Sequence, residues 1–296
     1  MTQSIFNPEA IGEHKLYARI RDEIEWGEQT RRSLEHLWVE YFPYAPKGFR
    51  RKLQFEFHQR WWEMYLTIGL CRLGMTVRSF RKDNGPDLLV ETSGMRIWVE
   101  AVAPKIGTSK DCVPDPIEDG VQDFPKRECL LRLLQGVTEK RDRMADYIAK
   151  HIVSREDACV IALSACNLNQ FGSLLDFPQP APLSILAGAG NLVIFSDRSR
   201  SPYSSRQETL SRNSGSLVDT TLFGKDEFSI ISAVLYSKCD PLNAPDEPHG
   251  TLSLFLNPKA NIKFSKSFYE KIPTWHVEGK SDDKTIWKKI QPHKLQ

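Results

Sequence analysis

Residues Ala158 to Ala165, ACVIALSA, form an almost wholly apolar run. A strand with one wet face alternates polar and apolar residues. An unbroken run of this length instead suits a strand covered on both faces, as in the sheet of an α/β protein. The residues before it fit that class. A long helix is predicted from about Arg127 to His151. Ahead of it lie three short strand candidates, Met75–Phe80, Asp87–Glu91 and Arg96–Ala103. Lys82-Asp83-Asn84-Gly85 separates the first two, and Thr92-Ser93-Gly94 makes a tight turn between the second and third. A helix over 53–73, stopped by Gly74, comes before them. The order is therefore helix, three strands, helix, strand, with a Pro- and Asp-rich loop from Pro104 to about Pro125.

Residues 12–41 carry helix-spaced apolar positions, with a break expected near Gly27. The stretch 42–52, FPYAPKGFRRK, reads as a linker with a basic end. Beyond residue 170 the pattern is less regular. A helix over Leu183–Ala187 and a strand at Leu192–Phe195 are expected, and the segments 229–237 and 251–257 look like buried strands. Asp197–Asn213, rich in Ser and Arg, reads as a mobile loop. No repeat or sharp shift in composition marks a second domain. The expected organisation is an N-terminal helical extension (1–52), an α/β core (53–170) and a C-terminal elaboration of the same domain (171–296), its strands extending one sheet.

Bulk properties exclude several classes. Forty Lys and Arg against 38 Asp and Glu give a net charge of +2, so any polyanion surface must come from local clustering. No apolar run reaches membrane-spanning length, and the first residues have no basic segment followed by an apolar one, so a cytoplasmic protein is expected. The six cysteines form no CxxC pair and read as reduced thiols, mostly buried. The histidines form no HExxH or HxxxH. No P-loop, no GxGxxG after a strand and no GxSxG occurs, and LAGAGN (186–191) reads as a turn.

Two acids stand out. Pro86-Asp87 enters one strand candidate, and Glu100 lies in the middle of the next. The hairpin between them can set the two carboxylates side by side near a sheet edge. Mg²⁺ suits such a place, since it takes one or two carboxylates and keeps several waters. Strand parity points Ile97, Val99, Ala101 and Ala103 one way and Trp98, Glu100 and Val102 the other. Glu100, flanked by Trp and Val, is thus partly enclosed and needs a metal, a lysine or an arginine as partner. On the preceding helix Glu63 shares a face with Glu56, Gln59, Leu66, Leu70 and Leu73, where core gives way to a polar edge. It is either part of the site or an edge acid paired with Arg60. Trp61 and Trp62 read as core.

This ordered set resembles the PD-(D/E)XK nuclease superfamily, which includes many restriction enzymes. Its members carry a helix with Glu, a strand beginning Pro-Asp, a strand with Glu-x-Lys, then a helix and a buried strand. Residues 53–165 follow that order, with Glu63, Pro86-Asp87 and Glu100-Ala101-Val102 at the motif positions. The resemblance implies a restriction-endonuclease-like mixed sheet flanked by helices. It implies Mg²⁺ (or Mn²⁺) held by Asp87, Glu100 and the carbonyl of Ala101, with Glu63 as a third catalytic acid. Val102 stands where the family has its catalytic lysine. The expected activity is metal-dependent hydrolysis of nucleic acid, DNA more than RNA. The alternatives are a member that has lost catalysis and binds nucleic acid or a protein, or an unrelated α/β enzyme.

Lys140 is the candidate to replace the missing lysine. It falls on the stripe Leu133, Val137, Met144 and Tyr147, where a buried ammonium needs a carboxylate partner. Lys105 follows Pro104, which ends the strand, and should point to solvent. Arg50, Arg51 and Lys52, with Lys47 upstream and Arg198, Arg200, Arg206 and Arg212 on the later loop, are candidate contacts for a phosphate backbone. The oligomeric state is left open.

Overall fold

A computed structural model describes residues 3–8, 12–79, 85–92, 94–117, 119–168, 174–194, 196, 203–264, 269, 271–281 and 284–290. Phe80, the Lys82–Asn84 turn, Phe195, Arg198 and Arg200 lie outside them. The chain is an α/β protein built on one mixed sheet of eight strands. Helices α1 (Lys15–Asp22), α2 (Ile24–Tyr41), α3 (Phe49–Phe55) and α4 (Phe57–Arg72) come first. Strands β1 (Thr76–Ser79), β2 (Leu88–Thr92) and β3 (Met95–Val102) follow as an antiparallel meander. Helix α5 (Lys126–Ala149) then crosses to β4 (Ala158–Ser164), which runs parallel to β3.

The second half extends this sheet, as expected. Helix α6 (Ala181–Ala187) is followed by short strands β5 (Ala189–Val193), β6 (Tyr203–Arg206), β7 (Thr209–Ser211) and β8 (Leu217–Asp219). These pair into two small antiparallel sheets, β5 with β6 and β7 with β8. Strand β9 (Ala233–Ser237) joins β4 in parallel, β10 (Ser253–Leu256) pairs antiparallel with β9, and β11 (Thr274–Ser281) runs parallel to β10. Strand β12 (Lys284–Ile290) closes the order β1-β2-β3-β4-β9-β10-β11-β12.

Each face of the sheet has its own core. Val77, Leu88, Val90, Ile97, Val99, Ala101, Val160 and Ala162 pack with α1 to α4. Leu89, Trp98, Cys159, Ile161, Leu163 and Val234 pack with α5 and α6. The period of two in β3 therefore resolves as the sequence predicts: Ala101 faces α4, and Glu100 faces α5. Helix α4 is buried at every position from Trp61 to Leu70. A helix apolar all round must be covered on all sides, and the sheet covers it on one face while α2 packs against it as well. Trp61 and Trp62 are core, and the Trp62 indole donates to the Ala162 carbonyl at 2.9 Å.

Several local expectations are corrected. The helical break falls at Glu23, and Gly27 lies inside α2. A Cβ on Gly27 would sit 2.8 Å from the Ile20 carbonyl oxygen, so the glycine serves the close approach of α1 and α2. The basic stretch 49–52 is not linker but the start of α3. Phe49 and Leu53, one turn apart, bury there, and Phe49 stacks on Trp38 at 5.8 Å. The helix expected over 53–73 is thus two helices joined at Glu56. Tyr203–Arg206 and Thr209–Ser211, within the segment read as mobile loop, form β6 and β7 and pair with β5 and β8. The described cysteines are all free, and Cys129, Cys159 and Cys166 are buried. Among the described residues no helix is long and apolar enough to cross a membrane.

Gly136 sets the distance between α5 and the end of β3. A Cβ there would meet Pro104 Cγ at 2.8 Å and Val102 Cγ2 at 3.3 Å. Any side chain would force the helix off the strand. Lys140 follows one turn later and so is carried close to Glu100.

Candidate functional site

The site begins where β2 ends. The β2–β3 register stops at Leu88 opposite Val99, so Glu100, Ala101 and Val102 run on past their neighbour. Asp87 lies just before β2, and its Oδ2 accepts from the Ala101 amide at 2.8 Å. The other exposed groups on that edge are met from α4. Gln59 Nε2 donates to the Ala101 carbonyl at 3.2 Å, and the Ala103 amide donates to Gln59 Oε1 at 2.8 Å. One primary amide thus supplies the donor and acceptor that a continuing strand would have given. Gln59→Leu is expected to lower stability by about 1–3 kcal/mol, since it leaves two backbone groups unmet. Amide exchange at Ala103 should speed up with it. An unchanged exchange rate at Ala103 would contradict this role.

Glu100 is 2% exposed and faces α5. Lys140 Nζ is hydrogen-bonded to Glu100 Oε2 and lies 3.8 Å from Asp87 Oδ2. The lysine is itself buried, on the stripe formed with Leu133, Val137 and Met144. The two acids therefore converge on one ammonium, as the stripe argument requires. Lys105, the competitor, is exposed.

Charge in the site is incompletely balanced. Burial first, and then the charge of Asp87, push the Glu100 carboxyl above its usual range, against the opposing pull of Lys140 and Arg143. Tyr147, one further turn along α5, has its phenol pushed up to about 12 by burial and then by the charge of Glu100. Two carboxylates share the Lys140 ammonium, with Arg143 acting on Glu100 as well, in a place poor in solvent. That donor set fits a hard divalent cation: Asp87 and Glu100 are oxygen ligands, and Mg²⁺ completes its shell with water. The Ala101 carbonyl, expected as a further ligand, already accepts from Gln59.

Glu63 is bonded by groups of its own helix. Its carboxylate takes both bonds of Arg60 Nη1, at 2.8 Å each, and one from Gln59 Nε2 at 3.1 Å. The physical reason is the face: α4 packs on the Ala101 side of the sheet, whereas Glu100 points to α5. Among the described residues no group of three His, Cys, Asp or Glu assembles for a metal. The structure brings Glu63 together with Gln59 and Arg60, the edge pairing that the sequence offered as the alternative.

The basic candidates are placed on α3. Arg50 is half-buried, and its Nη2 donates to the Phe6 carbonyl at 3.3 Å. Arg51 and Lys52 are exposed. Arg206 pairs with Glu208 at 2.6 Å, and Arg212 is exposed on the far half of the chain. Sequence reasoning missed Gln59 as a backbone clamp and Arg143 and Tyr147 as neighbours of the acids. Tyr147 was legible only as a stripe position, and Gln59 only as a polar residue sharing the Glu63 face. Compared with known proteins, the chain matches no family model, no curated protein and no solved structure.

Proposed function

We propose that this chain is a metal-dependent nucleic-acid phosphodiester hydrolase, acting on DNA in the first instance. Asp87 and Glu100 hold Mg²⁺ or Mn²⁺, and Lys140 takes the role of the lysine absent at Val102. The observation that carries this reading is the convergence of Asp87, Glu100 and Lys140 at the open end of β2 and β3. Three residues, one just before β2, one on β3 and one on the facing helix, bring two oxygen ligands and one buried cation to one point.

Each residue has a separable task. Asp87 is held in place by the Ala101 amide, so its free oxygen is oriented without help from solvent. Glu100 is held by Lys140 in a dry setting, where charge interactions are strong. The Lys140 ammonium can neutralise charge developing on a phosphate or orient a water by donating to it. When bound, the metal supplies charge neutralisation at the phosphoryl oxygens and a water of lowered pKa. Gln59, fixed by Glu63 and Arg60, keeps the overhanging end of β3 extended.

A second reading, a scaffold that has lost catalysis and binds nucleic acid or a protein, is favoured by two specific contacts. Lys140 already contacts both acids, and Gln59 already occupies the Ala101 carbonyl. A cleavage assay separates the two. The purified chain is incubated with supercoiled plasmid, linear duplex, single-stranded DNA and RNA, with Mg²⁺, Mn²⁺ or a chelator. Metal-dependent cleavage that Lys140→Ala abolishes supports the hydrolase. Intact substrates under every metal condition support the binding scaffold.

A further inference from the structure

The N-terminal helices enclose a second feature, independent of the acid pair. A cavity of about 810 Å³ opens between the start of the chain, the end of α2 and α3. Its size falls in the range of small-molecule sites. Lys47, Arg50 and Arg51 line it, and among the described residues no acidic one does. Among the described residues Lys47 and Arg51 form no ion pair. Arg50 is held at the wall by its bond to the Phe6 carbonyl, with its Nε buried and unpartnered. Three cations that share one cavity wall repel one another, and a bound anion relieves that cost.

The other lining groups narrow the anion. Phe42 and Phe55 border the same cavity while 52% and 51% exposed. Half-exposed phenyl rings beside cations offer a planar group something to stack on, which a phosphate alone or an acidic peptide does not use. Lys52, the third residue of the basic run, does not line the cavity, and Lys47 takes its place.

We propose that this cavity binds a nucleoside phosphate, either free or as one unit of a nucleic-acid strand. The phosphate lies against Lys47, Arg50 and Arg51, and the base against Phe42 and Phe55. The proposal goes beyond the hydrolase reading and stands if the acid pair proves to hold no metal.

The test is equilibrium binding in a chelator-containing buffer, so that no metal contributes. Three probes are titrated: adenosine monophosphate, ribose 5-phosphate and a fluorescent 5′-phosphorylated oligothymidylate. Adenosine monophosphate or the oligonucleotide should bind, and ribose 5-phosphate should bind at least about fivefold more weakly, the loss expected for one stacked base. Preference for the mononucleotide identifies a free ligand, and binding of the strand alone identifies a nucleic-acid unit. The paired substitution Lys47→Gln/Arg51→Gln should weaken binding about tenfold or more. For the strand it should reduce the slope of log affinity on log salt by about 1.4. Both residues lie at an open cavity wall without ion-pair partners, so the fold should persist. Phe42→Leu/Phe55→Leu provides the second variant, expected to lose about fivefold. The proposal is overturned if no probe binds, if ribose 5-phosphate equals adenosine monophosphate, or if both variant pairs bind as the wild type does.

Discussion

Lys140→Met is expected to lower the unfolding free energy by about 3 kcal/mol near pH 8, the size seen when one partner of a buried ion pair is removed. Methionine fills much the same volume, so the loss isolates charge from packing. Glu100, 2% exposed, would lose its hydrogen-bonded cation and be left beside Asp87, with Arg143 the remaining positive charge acting on it. The pH dependence identifies the cause. In the native protein the Glu100 carboxyl is already raised by burial and by Asp87. A carboxyl raised on folding binds a proton more tightly in the folded state. Stability therefore falls as pH rises from the unfolded value toward the folded one, and the cost is absent below that window. Removing Lys140 raises the folded value further and widens the window upward. The Lys140→Met defect should be largest at pH 8 and shrink toward pH 4.5 in urea denaturation. Adding Glu100→Gln should recover most of it. A defect equal at both pH values, or one that Glu100→Gln does not relieve, would assign Lys140 to packing.

This pairing was legible from sequence because two periods crossed. The period of two in β3 put Glu100 on the Trp98 face, and the helical stripe of α5 put Lys140 among Leu133, Val137 and Met144. Tight turns and a continuous apolar run made the order from α4 to β4 readable in the same way. Glu63 was ambiguous, since its spacing to Arg60 suited both readings. What decided it was the side of the sheet that α4 covers, a tertiary fact with no local signal. The hairpin of β11 and β12 went unseen for a related reason. Its strands carry many charged residues at the sheet edge, such as Lys288 and Lys289, which are exposed. An edge of that kind resists further pairing, but its sequence looks like loop. Helix α3 was hidden by its basic surface, because among its apolar residues Phe49 and Leu53 are the buried ones and Phe49's partner Trp38 is distant in sequence.

The second large effect concerns the acids. Asp87→Asn and Glu100→Gln each keep size and hydrogen-bonding shape but remove one ligand charge. If the proposed activity holds, each is expected to reduce metal-dependent cleavage by about a thousandfold or more, because a bound metal would supply both the nucleophile and the charge neutralisation. Neither should unfold the chain. Glu100→Gln removes a buried charge while leaving Lys140 next to Asp87, so its stability should change less than that of Lys140→Met. Glu63→Gln, by contrast, acts on the Arg60 and Gln59 anchor, and should affect stability more than metal affinity. Loss of metal affinity in Glu63→Gln, without loss of stability, would return Glu63 to the site.

The central claim is that Asp87 and Glu100 together bind a divalent cation, and titration calorimetry with Mn²⁺ addresses it most directly. The wild-type chain should bind one Mn²⁺, more tightly as pH rises and Glu100 loses its proton. Lys140→Ala should still bind, and more tightly, because the competing ammonium is gone. Asp87→Asn and Glu100→Gln should each abolish that binding in a folded protein. Equal heats from the wild type and both acid variants, or no heat from any of the four proteins, would contradict the account and leave Lys140 as the cation that the pair contacts.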